Sequence, residues 1–65
     1  MPYTNREKAE CAKREVKQRV RVYGRRVEDG NMTEAFAAEQ IALMSEIAAE
    51  YEEKAKADEL HERLL

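Results

Sequence analysis

The chain has no tryptophan and little cysteine, proline or glycine: its 65 residues include one Cys, one Pro and two Gly. The single cysteine, Cys11, excludes a disulfide within the chain and fits a reducing cytosol. Because Pro2, Gly24 and Gly30 are the only strong helix breakers, most of the sequence can remain helical. With 40% charged and 43% hydrophobic residues, the composition is typical of a long-helix or coiled-coil protein.

Long apolar runs and chemistry-bearing residues are also missing. No segment approaches the roughly 20 apolar residues of a membrane span, and residues 1–5 lack the apolar core of a signal peptide, so we expect a cytoplasmic protein. His61 shares a helix face with Asp58 but with no third candidate ligand, and Ser45 is the only serine. We predict no enzymatic activity, no catalytic residue, no metal site and no cofactor.

What the sequence does contain is a change in the sign of its charge. Residues 1–26 carry nine Lys/Arg against three Glu, whereas residues 27–65 carry three Lys/Arg against eleven Asp/Glu. The only strong break, Glu28-Asp29-Gly30-Asn31, lies between the two halves and allows them to fold back on each other. We predict an all-α fold, an antiparallel helical hairpin with one basic and one acidic arm.

Capping signals place the ends of the two helices. Thr4 and Glu7 have the spacing of a capping box at the start of the first helix, and Thr33 can cap the second. Gly24 predicts a kink in the first helix or its early end. The expected bounds are about 5–28 for the first helix, about 28–32 for the turn and about 33–63 for the second helix, within one domain of residues 1–65.

Apolar residues recur at helical spacing in both arms, but over different widths. The first helix has one narrow seam, formed by Ala9, Ala12, Val16, Val20, Tyr23 and Val27. The second has a seam formed by Ala37, Ile41, Met44, Ala48, Tyr51 and Ala55 and, beside it, a further stripe formed by Phe36, Leu43 and Ile47, hereafter the apolar stripe. This apolar arc is too wide for one neighbouring helix to cover.

The uncovered apolar stripe, with Met44 at its edge, predicts an interface with another molecule. A homodimer that forms an antiparallel four-helix bundle is the simplest closed solution, and a different protein is the alternative occupant. Lys13 with Glu50, and Arg6 with Asp58, are expected to pair across the hairpin and to favour its antiparallel register, although exposed ion pairs contribute only about 0–1 kcal/mol each.

Two charged surfaces suggest other functions. Arg14, Lys17, Arg21 and Arg25 share one face of the first helix, hereafter the basic ridge, which could track the phosphates of a nucleic acid. Glu39, Glu46, Glu50 and Glu53, hereafter the acidic ladder, could with Glu52 mimic a phosphate strand and inhibit a host defence or nucleic-acid enzyme. Either set could equally be an ordinary solvated helix face.

A further pattern extends over residues 14–51 and consists of Arg14-Glu15-Val16, Arg19, Arg21-Val22-Tyr23, Arg25, Val27-Glu28, Gly30, Met32, Ala35, Ile41-Ala42, Met44, Ile47-Ala48-Ala49 and Tyr51. By these residues the chain resembles a family of very short, mostly uncharacterised proteins of proteobacterial bacteriophages and prophages. Members often have Pro in place of Gly24, which agrees with a kink there, and Trp in place of Arg26. The resemblance implies a helical, phage-associated protein of the bacterial cytosol, and it implies no biochemical activity.

These observations combine into one functional prediction. We expect a non-enzymatic, self-associating helical hairpin that binds a host or phage macromolecule. The alternatives are a small nucleic-acid-binding accessory factor that uses the basic ridge, and an acidic inhibitor that acts by mimicry.

Overall fold

The protein is an antiparallel hairpin of two long helices, which confirms the predicted all-α fold. The computed structural model describes residues 2–65, in which α1 spans Asn5–Glu28 and α2 spans Glu34–Leu64. The two helices pack along each other in a body about 53 Å long and 20 Å wide. Within residues 2–65, neither helix is long and apolar enough to cross a membrane.

The start of α1 is closed by side chains as well as by the backbone. The Glu7 amide donates to the Thr4 hydroxyl over 3.0 Å, and the Thr4 amide donates to the Glu7 carboxylate over 3.0 Å. This is a complete capping box, in which two amides without a helical partner are satisfied reciprocally. The hydrogen bonds from Thr4 hold the pKa of the Glu7 carboxyl below its ordinary value.

A glycine turn reverses the chain between the helices. The Gly30 amide donates to the Val27 carbonyl and the Asn31 amide donates to the Arg26 carbonyl, which is the pattern of a Schellman motif. Gly30 adopts φ +77°, a left-handed conformation in which a Cβ would be strained. The Thr33 hydroxyl then accepts from the Phe36 amide and begins α2. The turn therefore needs glycine at position 30.

The centre of the hairpin is made of alanine. The buried residues of the described chain are Ala9, Ala12, Ala37, Ala48 and Ala55, and no side chain larger than alanine is fully buried there. Small side chains let two helices approach closely, but each one removes little apolar surface from water. A hairpin of this size therefore derives little stability from its own core, and further burial against another molecule would add to it.

The seam of α1 differs from the prediction at one position. Val20 was expected in the seam, but its side chain is 53% exposed. Arg19 is half-buried instead, and its guanidinium donates over 2.9 Å to the backbone carbonyl of Gln40 in α2. Packed helices follow a repeat of about 3.5 residues per turn instead of 3.6, so the contact line drifts across the helix surface and moves away from Val20.

Gly24 lies inside α1, which continues past it to Glu28. Its φ is not positive, and a Cβ added there would meet no atom within 4 Å. We expect Gly24→Ala to raise stability by about 0.5–1 kcal/mol, because alanine restricts the unfolded chain and favours the helix. The measurement is thermal unfolding followed by circular dichroism. Gly30→Ala is the control and should lower the Tm, and equal shifts for both variants would contradict this interpretation.

Candidate interaction surface

One edge between the helices is closed by ion pairs, hereafter the ion-paired edge. The Arg6 guanidinium binds two carboxylates, each through two hydrogen bonds of 2.8–3.1 Å, one to Glu52 and one to Glu59. The Lys13 ammonium also contacts the Glu52 carboxylate. Arginine bound to a carboxylate through two parallel hydrogen bonds fixes orientation as well as charge. This edge therefore sets the antiparallel register of the hairpin.

The predicted cross-helix pairs are wrong in detail. Lys13 pairs with Glu52 and not with Glu50, and Arg6 pairs with Glu52 and Glu59 and not with Asp58. Asp58 instead accepts a 2.9 Å hydrogen bond from the side-chain amide of Asn5. Glu52 is only two residues from the predicted partner Glu50 but points to nearly the opposite face of α2, so the predicted register along the helices was nearly right and the predicted face of α2 was wrong.

Arg6, which binds both carboxylates, lowers the pKa of Glu52 and of Glu59. Hydrogen bonds from Arg6, and then from Lys13, lower the pKa of Glu52 from 4.5 to about 2. The hydrogen bond from Arg6 also lowers the pKa of Glu59, and these two carboxylates in turn raise the pKa of Arg6. Both glutamates consequently stay ionised in the folded hairpin at pH values where an unpaired glutamate is already protonated.

This difference predicts how stability depends on pH. Because the pKa of Glu52 is lower in the folded chain, its contribution to stability is complete above pH 4.5 and is lost as the pH falls toward 2. We expect the Tm of the wild type to exceed that of Glu52→Gln at neutral pH and the two values to converge at low pH. Thermal melts of both proteins at a series of pH values make the comparison. A constant difference in Tm down to pH 2 would contradict the ion-pair interpretation.

The opposite edge between the helices is apolar, hereafter the apolar edge. An open groove runs along it, lined by Cys11, Ala12, Met44, Ile47 and Tyr51 and also by charged side chains of α1, among them Lys8, Arg14 and Glu15. Lys8 and Lys54 lie over the Tyr51 ring, with their ammonium nitrogens 5.4 Å and 4.9 Å from its centroid. Arg19 crosses this edge toward the turn, where its guanidinium binds the Glu15 carboxylate and donates to the Gln40 carbonyl. The hairpin is therefore closed on one edge and open on the other.

The predicted interface residues lie along this open edge. Phe36, Leu43 and Ile47 are 51%, 48% and 42% exposed, while Met44 is half-buried between them and the hairpin seam. Steps of seven and four residues place the three exposed side chains on one face of α2. The structure thus leaves the apolar stripe uncovered by α1. Ile47 belongs to both the stripe and the groove, so the two adjoin there, and together they are the candidate interaction surface.

The two charged surfaces of the prediction are exposed. Each member of the basic ridge is solvent-accessible, and within residues 2–65 none of them forms an ion pair. In the acidic ladder, all four glutamates are exposed, and only Glu53 has a cationic partner, Lys56. Both surfaces are therefore available to a charged partner. Glu52, which the prediction grouped with the ladder, is occupied by Arg6 and Lys13.

Sequence reasoning missed Arg19 and the double role of Arg6. Arg19 has a charged neighbour at i−4, Glu15, which predicts only an ordinary helix-surface pair. Arg19 lies seven residues after Ala12 of the seam, and this heptad spacing is the feature of the sequence that indicates that it faces α2. In the part of the chain that the structure describes, no group of three or more His, Cys, Asp or Glu side chains is placed to hold a metal ion.

None of the protein-family models, curated proteins or solved structures compared with this chain matches it. The resemblance of residues 14–51 to small phage and prophage proteins therefore stays a prediction. Function has to be argued from the surface itself.

Proposed function

We propose that the protein is a non-enzymatic interaction protein whose hairpin self-associates through the candidate interaction surface and presents the resulting assembly to another macromolecule. The observation that carries the proposal is the contrast between interior and surface. Within residues 2–65 the buried residues are all alanines, whereas Phe36, Leu43 and Ile47 remain about half exposed on one face of α2. A protein gains stability by covering such a face, because burying apolar area contributes roughly 25 cal/mol per Å².

The size of the hairpin suits this role. A stable protein–protein interface buries about 800 Å² on each partner. A hairpin of 53 by 20 Å offers one long face of about this area. The simplest assembly is a two-fold dimer that encloses both apolar stripes in a four-helix bundle. The setting that the family resemblance suggests is the cytosol of a bacterial host, with the protein encoded by a phage or prophage.

A second candidate function is nucleic-acid binding by the basic ridge. It is favoured by one observation, namely that Arg14, Lys17, Arg21 and Arg25 are exposed and make no ion pair within residues 2–65. Aromatic side chains that could stack on bases are not part of this face, so such binding would rest on phosphate contacts and would weaken steeply with salt. Inhibition by the acidic ladder is supported only by the exposure of its glutamates.

The solution mass of the protein, measured by light scattering over a dilution series, separates these functions. The chain has a mass of 7.6 kDa, and the proposal predicts twice that mass with no change on adding short mixed-sequence DNA at about 50 mM salt. An increase in mass with DNA that disappears at higher salt would instead favour the second candidate. A monomer at every concentration would contradict self-association.

A further inference from the structure

We propose that the occupant of the candidate interaction surface is a second copy of this chain, oriented so that its basic α1 packs against the acidic α2 of the first copy. This inference rests on the proposed self-association and adds the arrangement of the two copies. It also assigns a partner to two charged surfaces that would otherwise be unexplained. The basic ridge and the acidic ladder would bind each other across the dimer.

The angular positions of the charged residues around each helix axis support this arrangement. On α2, Glu39 and Glu46 each follow a stripe residue by three positions and lie just beyond the apolar stripe, on the side away from α1. On α1, Arg14 lies at the groove, three residues after Cys11, and Arg21 follows Arg14 by seven positions on the same helix face. A second hairpin laid on the apolar edge therefore brings the charged flanks next to each other.

The positions of these residues along the length of the hairpin also agree with this arrangement. Lys13 reaches Glu52 and Arg19 reaches Gln40, so residues 13–19 of α1 lie beside residues 40–52 of α2. Toward the turn, Arg21 and Arg25 lie level with residues 36–42. A two-fold axis parallel to the helices keeps both copies at the same level, so the basic ridge of one copy lies level with Glu39, Glu46 and Glu50 of the other.

The charges distinguish this arrangement from the other closed bundle. With the axis parallel to the helices, each acidic α2 lies between two basic α1 helices, and all neighbours are antiparallel. With the axis perpendicular to the helices, α2 packs on α2 and α1 on α1, which places like charges side by side. The net charge of residues 1–26 is about +6 and that of residues 27–65 about −8, so complementary neighbours are favoured.

Reversing the charges on each surface tests the arrangement. The ridge variant is Arg14→Glu with Arg21→Glu, and the ladder variant is Glu39→Lys with Glu46→Lys. None of these four residues forms an ion pair within the described chain, so the hairpin itself should keep its helicity in both variants. Circular dichroism verifies that each variant is folded before its association is measured.

The expected result at about 50 mM salt is a rise of about 10- to 100-fold in the dimer Kd for each variant alone. An equimolar mixture of the two variants should associate as tightly as the wild type, because every facing pair is then complementary again. A chain that carries all four substitutions should likewise dimerise. Sedimentation equilibrium measures the dimer Kd of the ridge variant, the ladder variant, their mixture and the chain with all four substitutions.

The outcomes separate this inference from the proposed function. If the wild type is a dimer and each variant alone associates as tightly as the wild type, the arrangement proposed here is wrong and self-association stands. If the wild type is a monomer throughout, the proposed function fails, and this inference fails with it.

Discussion

Replacing Leu43 by glutamate is expected to abolish the proposed dimer and leave a monomer. Leu43 lies at the centre of the apolar stripe and is 48% exposed in the hairpin, so the substitution leaves the contact between α1 and α2 largely intact. In the proposed dimer it would bury a carboxylate in an interface that Leu43 fills with apolar surface. We expect the dimer Kd to rise by at least about 100-fold, measured by sedimentation equilibrium.

Leu60→Glu is the matched control for this prediction. Leu60 is on the same helix and is 55% exposed, but it lies outside the apolar stripe and near the end of α2. The same chemical change there should alter neither the mass nor the Tm by much, since surface substitutions usually change stability by less than about 0.5 kcal/mol. Equal effects of the two substitutions would show that the apolar stripe is not the interface.

Ala48→Asp is expected to unfold the hairpin. Ala48 lies in the middle of α2 and is buried, so a carboxylate there would be removed from water. An uncompensated buried charge costs about 3–5 kcal/mol, which is comparable to the whole stability of a domain this small. The helical circular dichroism signal at 25 °C should therefore be lost.

The neighbouring residue provides the control. Ala49 is exposed, so Ala49→Asp introduces the same side chain into the same helix without burying it. Its cost should stay below about 1 kcal/mol, which reflects the lower helix propensity of aspartate. If Ala48→Asp kept the helicity and Tm of Ala49→Asp, alanine packing would not be what holds the helices together.

The features that the sequence predicted correctly depend on local chemistry. Thr4 with Glu7 predicts a helix start because both partners lie within one turn of helix, and Gly30 predicts the turn because the left-handed conformation favours glycine. The exposure of Phe36, Leu43 and Ile47 could be predicted because the apolar arc of α2 is wider than one neighbouring helix can cover.

The features that the sequence did not predict depend on the rotation and separation of the packed helices. A turn of about 20° per heptad is enough to expose Val20 and to bring Arg19 against Gln40. Glu52, and not Glu50, reaches Lys13, because residues two apart on a helix point to nearly opposite faces and Glu52 lies on the face of α2 beside Lys13. The spacing of residues in the sequence predicts which of them share a helix face. The exact line of contact depends on how closely the buried alanines let the two helices approach.

The proposed dimer requires that a second copy of the chain covers the apolar stripe. An isotope-filtered NOE experiment on an equimolar mixture of ¹³C-labelled and unlabelled protein tests this, because it reports only contacts between copies. We expect NOEs from the Leu43 and Ile47 methyl groups to protons of the other copy, and none from the exposed Val20 methyl groups, since Val20 shares the helix face of Lys13, seven residues earlier, on the ion-paired edge. The absence of NOEs at Leu43 and Ile47, or their confinement to Val20, would contradict the proposed dimer.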